Sequence, residues 1–280
     1  MCIAVIVVNY SPRFPLIICH NRDEDPNRPT SDLGIRDNIL SATDLRSCGI
    51  AAVGLNISTG VCAVLTNSRN VATSHPTGSS RGQLLKRVLS EPLTPAGISD
   101  LLAKEYQGGF YVYVTNCFLA NNVAIDLISN VSPPSHEEFR VPSEPRVFIK
   151  MNEHSTSYKD WSRKLDFLGS QMNAFTTNQN EGETLPGLFD ALERIMSQTT
   201  HPDLSSQESS EYAWSPCPMA ESRLLSHVVI PHGEILPGLK FGTVSQTMIV
   251  VDKQSNQVHY RYRTVDFPKF SPWDARVIEF

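Results

Sequence analysis

Two apolar stretches, CGIAAVGLN (Cys48–Asn56) and GVCAVLTN (Gly60–Asn67), are joined by the short turn-forming segment ISTG. The pair predicts an antiparallel hairpin, since two short apolar runs across a Gly-containing turn satisfy their backbones against each other. Neither arm alternates apolar with polar residues. A strand of that kind is covered on both faces, so the hairpin demands a sheet with a layer above it and a layer below it.

The rest of the chain supplies such layers. Ile3–Val8 and Leu16–Cys19 are β-branched runs split by NYSPRFP, which reads as a hairpin loop; a polar loop follows from His20 to about Arg36. SSRGQLLKRVLS predicts a helix capped by Ser79 or Ser80, with Leu84, Leu85, Val88 and Leu89 on one face. TPAGISDLLAKEY predicts a second helix, and GGFYVYVTNCFLA and NVAIDLIS return to strand. Residues 131–145, rich in Pro, Ser and Glu, read as a loop before the strand RVFIKM. Two helices follow, KDWSRKLDFLGSQM and LPGLFDALERIMSQ, the second with Pro186 near its first turn. A long loop over 198–219 leads to strands at about 223–230, 246–252 and 257–264. This order predicts an α+β fold in which helices sandwich large antiparallel sheets.

Composition narrows the function. A net charge of −5 argues against a general nucleic-acid binder, which needs a basic face. The six cysteines form no C-x-x-C pair, and no His pair has zinc spacing. Cys2, Cys19, Cys62 and Cys117 lie in or beside apolar runs, as buried free thiols do in a reducing compartment. No run approaches the roughly 18 apolar residues of a spanning helix, so stable membrane insertion is not expected. Ile3–Val8 is too short for a signal-peptide core and no basic region precedes it. The expected location is cytoplasmic, with import by an unrecognised signal as the alternative.

The candidate chemistry lies at the start. Aminopeptidase removal of Met1, favoured by the small second side chain, leaves Cys2 carrying a thiol and a free α-amine. That amine titrates near pH ~8 and can take the thiol proton directly or through one water, with no histidine needed. An antiparallel second strand returns its end to the start of the first. His20, Asn21, Arg22, Asp23 and Glu24 therefore arrive beside Cys2. Arg22 offers a bidentate partner for the thiolate or a substrate carboxylate, and Asp23 offers an acceptor that orients the α-ammonium. Asn67, just past a buried strand, and Asn152 are candidate donors to an oxyanion; both are also ordinary turn formers.

In their order, these residues resemble one family. Met1–Ile3, Asn21–Glu24 (NRDE), Arg28–Pro29, Leu65–Asn67, Arg81–Gly82, Gly109–Phe110 and Trp161–Lys164 resemble the pattern of the NRDE, or transport and Golgi organisation 2 (TANGO2), proteins. The likeness spans essentially the whole chain and implies a single domain over 1–280. It implies a branch of the N-terminal nucleophile (Ntn) hydrolases with a four-layer αββα sandwich, similar to bile-salt hydrolases and penicillin V acylases. By that resemblance Cys2, Asp23, Asn67 and Asn152 are catalytic, and His20, Asn21, Arg22 and Glu24 bind substrate. The implied activity is that of a cysteine amidohydrolase or acyltransferase on a small-molecule amide, acyl or thioester substrate, with no metal or organic cofactor. The alternative is a non-enzymatic haem or lipid/acyl-CoA trafficking protein, with His20 and His75 as candidate iron ligands and mitochondrial or Golgi association. Two positions depart from the pattern. His20 stands where the hydrolases carry the first Arg of R-x-x-D, and Val244 stands where the family usually carries an Arg after Gly-Thr.

Overall fold

The computed structural model describes residues 2–68, 78–91, 94–103, 108–119, 123–131, 134–140, 144–151, 159–178, 184–198, 228–236 and 238–280. The architecture is α+β, with two antiparallel sheets. The first sheet runs in the order β10 (Arg146–Met151), β1 (Ile3–Val8), β2 (Leu16–Glu24), β12 (Leu239–Asp252), β13 (Gln257–Asp266) and β14 (Lys269–Phe270). Off this path, β11 (Gly233–Leu236) pairs with β12 and β15 (Asp274–Glu279) pairs with β13. The second sheet is a meander of β3 (Gly34–Arg36), β4 (Ile39–Asp44), β5 (Gly49–Asn56), β6 (Val61–Ser68), β7 (Gly109–Asn116), β8 (Ala124–Ser129) and β9 (Ser135–Arg140).

Strand alternation sorts the apolar residues into three cores. In β1, Ala4, Ile6 and Val8 pack with Leu40, Ala52, Leu55 and Val64 of the second sheet. Its other face, Ile3, Val5 and Val7, packs with Leu168 and Met172 of α3 (Lys159–Thr177) and Leu188 and Leu192 of α4 (Leu185–Met196). On the second sheet, Ala63, Leu65, Val112 and Val114 pack with α1 (Arg81–Ser90) through Leu84, Leu85, Val88 and Leu89, and with α2 (Pro95–Ala103) through Ile98 and Leu101. The hairpin arms and β1 are continuous apolar runs because each of their faces meets a separate core.

Several expectations are corrected. Residues 20–24 are not loop: β2 runs on to Glu24 because β12 pairs along its length, from Val251 opposite Leu16 to Gly242 opposite Glu24. β12 itself begins at Leu239 and not near 246, whereas Val228–Ile230 are outside any strand. Their backbone N–H groups find other acceptors, Val229 on Gln198 O (3.0 Å) and Ile230 on Thr243 Oγ1 (2.8 Å). Within the expected 131–145 loop lies β9, a charge-rich edge strand. Polar edges of this kind block further pairing and hide the strand from an apolar pattern. β3, β4, β14 and β15 were also not expected from the apolar runs. Most of the 198–219 loop and residues 221–227 lie outside the described residues.

Helix α1 sits closer to β5 than side chains would permit. A Cβ on Gly49 would lie 2.6 Å from the carbonyl carbon of Gly82, and one on Gly82 would lie 2.7 Å from Ile50 O. This backbone contact sets where α1 begins, with Ser80 as its cap, accepting from Gln83 N. Gly82→Ala is expected to lower stability by about 1–3 kcal/mol through overpacking. Gly34→Ala is the control, since nothing lies within 4 Å of its Cβ position, and should change little. Urea midpoints of the two variants check this.

A second prediction concerns pH. His20 is 1 % exposed, and burial brings its pKa from 6.5 down to about 3, against the opposing effect of its bond to Leu65 O. The fold thus favours the neutral ring. That contribution is complete above about pH 6.5 and is lost as pH falls toward 3. In His20→Gln, the urea unfolding free energy should fall less steeply over this window than in the wild type.

Candidate active site

In register on β2, Ile3 lies opposite Asn21 and Ala4 opposite His20, which brings Cys2 level with Arg22 and Asp23. The Cys2 sulfur sits 4.0 Å from the backbone oxygen of Asp23. Although 5 % exposed, it is not in a dry apolar layer. It lines a cleft of about 90 Å³ together with Arg22, Asp23, Glu24, Asn67 and Arg81. Burial pushes the Cys2 thiol above its ordinary pKa; the charge of Asp23 adds to this and that of Arg22 opposes it. At neutral pH the sulfur is therefore held as the neutral thiol.

Because residues 20–24 are strand, their side chains divide between two faces. His20 points toward the second sheet, where its Nε2–H donates to Leu65 O (3.1 Å); a carbonyl only accepts, so this contact assigns the tautomer. Arg22 points the same way, donating to Thr30 Oγ1 (2.7 Å) and Asp44 Oδ2 (2.9 Å). Asn21 faces the helices. Its Nδ2 donates to Met196 O (3.0 Å) and Val228 O (2.9 Å), and its Oδ1 accepts from Gln246 Nε2 (2.9 Å). Neither His20 nor Asn21 is among the residues that line the cleft. Asn152 and His75 lie outside the described residues.

Asp23 is aimed by a distortion of the neighbouring strand. The β2–β12 register steps from Thr243 opposite Asp23 to Ser245 opposite Arg22, so Val244 is the extra residue of a β-bulge. Thr243 Oγ1 accepts from Ile230 N (2.8 Å), which leaves its proton to donate to Asp23 Oδ1 (2.6 Å). Lys164 of α3 is 1 % exposed, and its charge interacts with those of Asp23 and Cys2. Burial brings its pKa down to about 8, while Asp23 and Cys2 pull it upward.

The remaining charges of the cleft are largely paired. Asp44 takes Arg22 at 2.9 Å and Arg28 at 2.6 Å, and Arg28 also reaches Glu24 at 3.3 Å. Asp44 Oδ1 further accepts from the backbone N–H groups of Arg46 (3.0 Å) and Ser47 (3.1 Å). Among the described residues, no three His, Cys, Asp or Glu side chains are grouped to hold a metal ion. Among them too, no helix is long and apolar enough to cross a membrane.

The β1–β2 register sets Arg22 and Asp23 beside Cys2, and Cys2, Arg22, Asp23, Glu24 and Asn67 line one cleft. Lys164, Thr243, Asp44 and the guanidinium of Arg81 were not singled out as site residues. For Lys164 a signal exists: it continues the apolar stripe Leu168, Met172 and Phe175 of α3, all buried. A lysine at such a position is either paired or functional.

No curated protein matches the chain. The family model for Transport and Golgi organisation 2, however, matches residues 1–266, nearly the full length on which the site is built. The chain belongs to the Transport and Golgi organisation 2 family.

Proposed function

We propose that this protein is an N-terminal nucleophile cysteine hydrolase or acyltransferase acting on an amide or thioester, built on the αββα sandwich of that class. The observation that carries the reading is the Cys2 sulfur in one polar cleft with Asp23 and Asn67, 4.0 Å from the Asp23 backbone oxygen. The three apolar cores, one between the sheets and one beneath each helix pair, support the sandwich.

In this reading, loss of Met1 frees the α-amine of Cys2. The neutral amine takes the thiol proton as sulfur attacks the substrate carbonyl, forming a C–S bond and an oxyanion. Asn67 donates to that oxyanion, and Asn152 is assigned the same task by resemblance alone. Collapse breaks the bond to the leaving amine or thiolate, which receives the proton from the α-ammonium. The acyl thioester on Cys2 then passes to water or to a second nucleophile. Asp23, fixed by Thr243, orients the amine. Lys164 adds positive charge behind the sulfur, favouring the thiolate as its proton leaves. Arg22 is a structural ion-pair partner of Asp44 in this account, and its field still reaches Cys2.

Turnover of a panel of fluorogenic amides and thioesters tests the assignment. Cys2→Ala should abolish it, a loss of about 10³-fold or more, with the unfolding midpoint little changed. Undiminished turnover would remove Cys2 as the nucleophile, and no turnover by the wild type would favour the carrier alternative of haem or acyl lipid. Lys164 gives a second test. Its pKa is near 8 in the fold against 10.5 for a free lysine, so its contribution to stability grows as pH rises from 8 to 10.5. Across that window it should add on the order of 3 kcal/mol to the urea unfolding free energy. Lys164→Met should lack this rise.

A further inference from the structure

Arginines 22, 28 and 81 line the cleft, and their charges are not equally matched. Asp44 and Glu24 account for Arg22 and Arg28. Arg81 has no carboxylate within ion-pair distance among the described residues, and its hydrogen bond goes to a neutral group, Gly109 O at 3.3 Å. Glu24, an acid whose field reaches Arg81, is already held by Arg28. The first turn of α1, where Arg81 sits, carries no acidic residue. The helix dipole therefore adds positive charge at the same point. The Gly49–Gly82 contact holds this helix start in place.

We propose that Arg81 is the anion-recognition residue of the cleft, and that the substrate attacked by Cys2 carries a carboxylate or phosphate near its reacting carbonyl. The inference rests on Cys2 being the nucleophile. A guanidinium half-withdrawn from water is best matched by a planar bidentate oxyanion. Since Asp44 and Glu24 are committed to the other two arginines and Asp23 accepts from Thr243, the ligand supplies the carboxylate that Arg81 lacks. Arg81 is then a specificity residue: it selects anionic substrates over neutral ones of the same size.

Iodoacetate and iodoacetamide form a matched pair of probes, nearly equal in size and differing in charge. Each alkylates a thiolate with release of iodide. Peptide mass mapping follows Cys2 separately from the exposed Cys48. Relative to the same ratio for glutathione, the iodoacetate:iodoacetamide rate ratio at Cys2 should be raised about tenfold. Arg81→Gln should return it to the glutathione value, and Arg81→Lys should keep part of the preference. A wild-type ratio equal to that of glutathione, or one unchanged by Arg81→Gln, overturns the proposal.

Should neither reagent label Cys2 in the folded protein, the nucleophile reading fails by itself. The anion site is then read independently, by the rise in thermal midpoint with glutarate or with inorganic phosphate. A rise in the wild type that Arg81→Gln loses supports the site, and the more effective anion tells carboxylate from phosphate. No rise with either anion in the wild type overturns it.

Discussion

Four successive polar residues of β2, His20, Asn21, Arg22 and Asp23, are at most 3 % exposed. Polar and charged groups taken out of water are costly unless each finds a partner. This requirement organises much of the molecule. It ties β2 to Leu65 through His20, to α4 and Gln246 through Asn21, to Asp44 through Arg22 and to the bulge of β12 through Asp23. The network extends outward: Gln246 Oε1 accepts from Arg263, whose guanidinium also reaches Glu193 and Ser197 at the end of α4. A strand so fully committed on both faces is a rigid support for the residue that runs alongside it, Cys2.

The same constraint separates structural from chemical roles. Asn21 and His20 hold layers together. Their neighbours Asp23 and Glu24 reach the cleft, and Arg22 does both. A sequence cluster that reads as one charged loop is thus a strand serving three different surroundings. The Val244 bulge belongs to this picture: by inserting one residue, β12 keeps Thr243 opposite Asp23 while its regular pairing continues from Ser245.

Much of this was legible from local pattern. The continuous apolar arms of the β5–β6 hairpin foretell layers on both faces, and the short link between β1 and β2 foretells the meeting of Cys2 with Arg22 and Asp23. What stayed hidden depends on pairing across long stretches of chain. Nothing near residue 20 indicates that β12, more than 200 residues later, will extend β2 to Glu24. A loop over residues 20–24 assigns no faces, so the orientation of Asn21 is not legible from the apolar pattern; only a strand assigns alternate faces. Thr243 reaches Asp23 over 220 positions, beyond any local motif. Lys164 was visible in principle as the polar member of an apolar stripe, yet its target is apparent only once α3 lies on the first sheet.

The central claim is that the Cys2 sulfur forms the covalent bond to the acyl group. Rapid quenching of the protein with a thioester, followed by peptide mapping, tests it most directly. The account predicts an acyl group on the thiol of a Cys2 that has lost Met1. Acylation confined to another residue, or turnover by a protein that retains Met1, would contradict it.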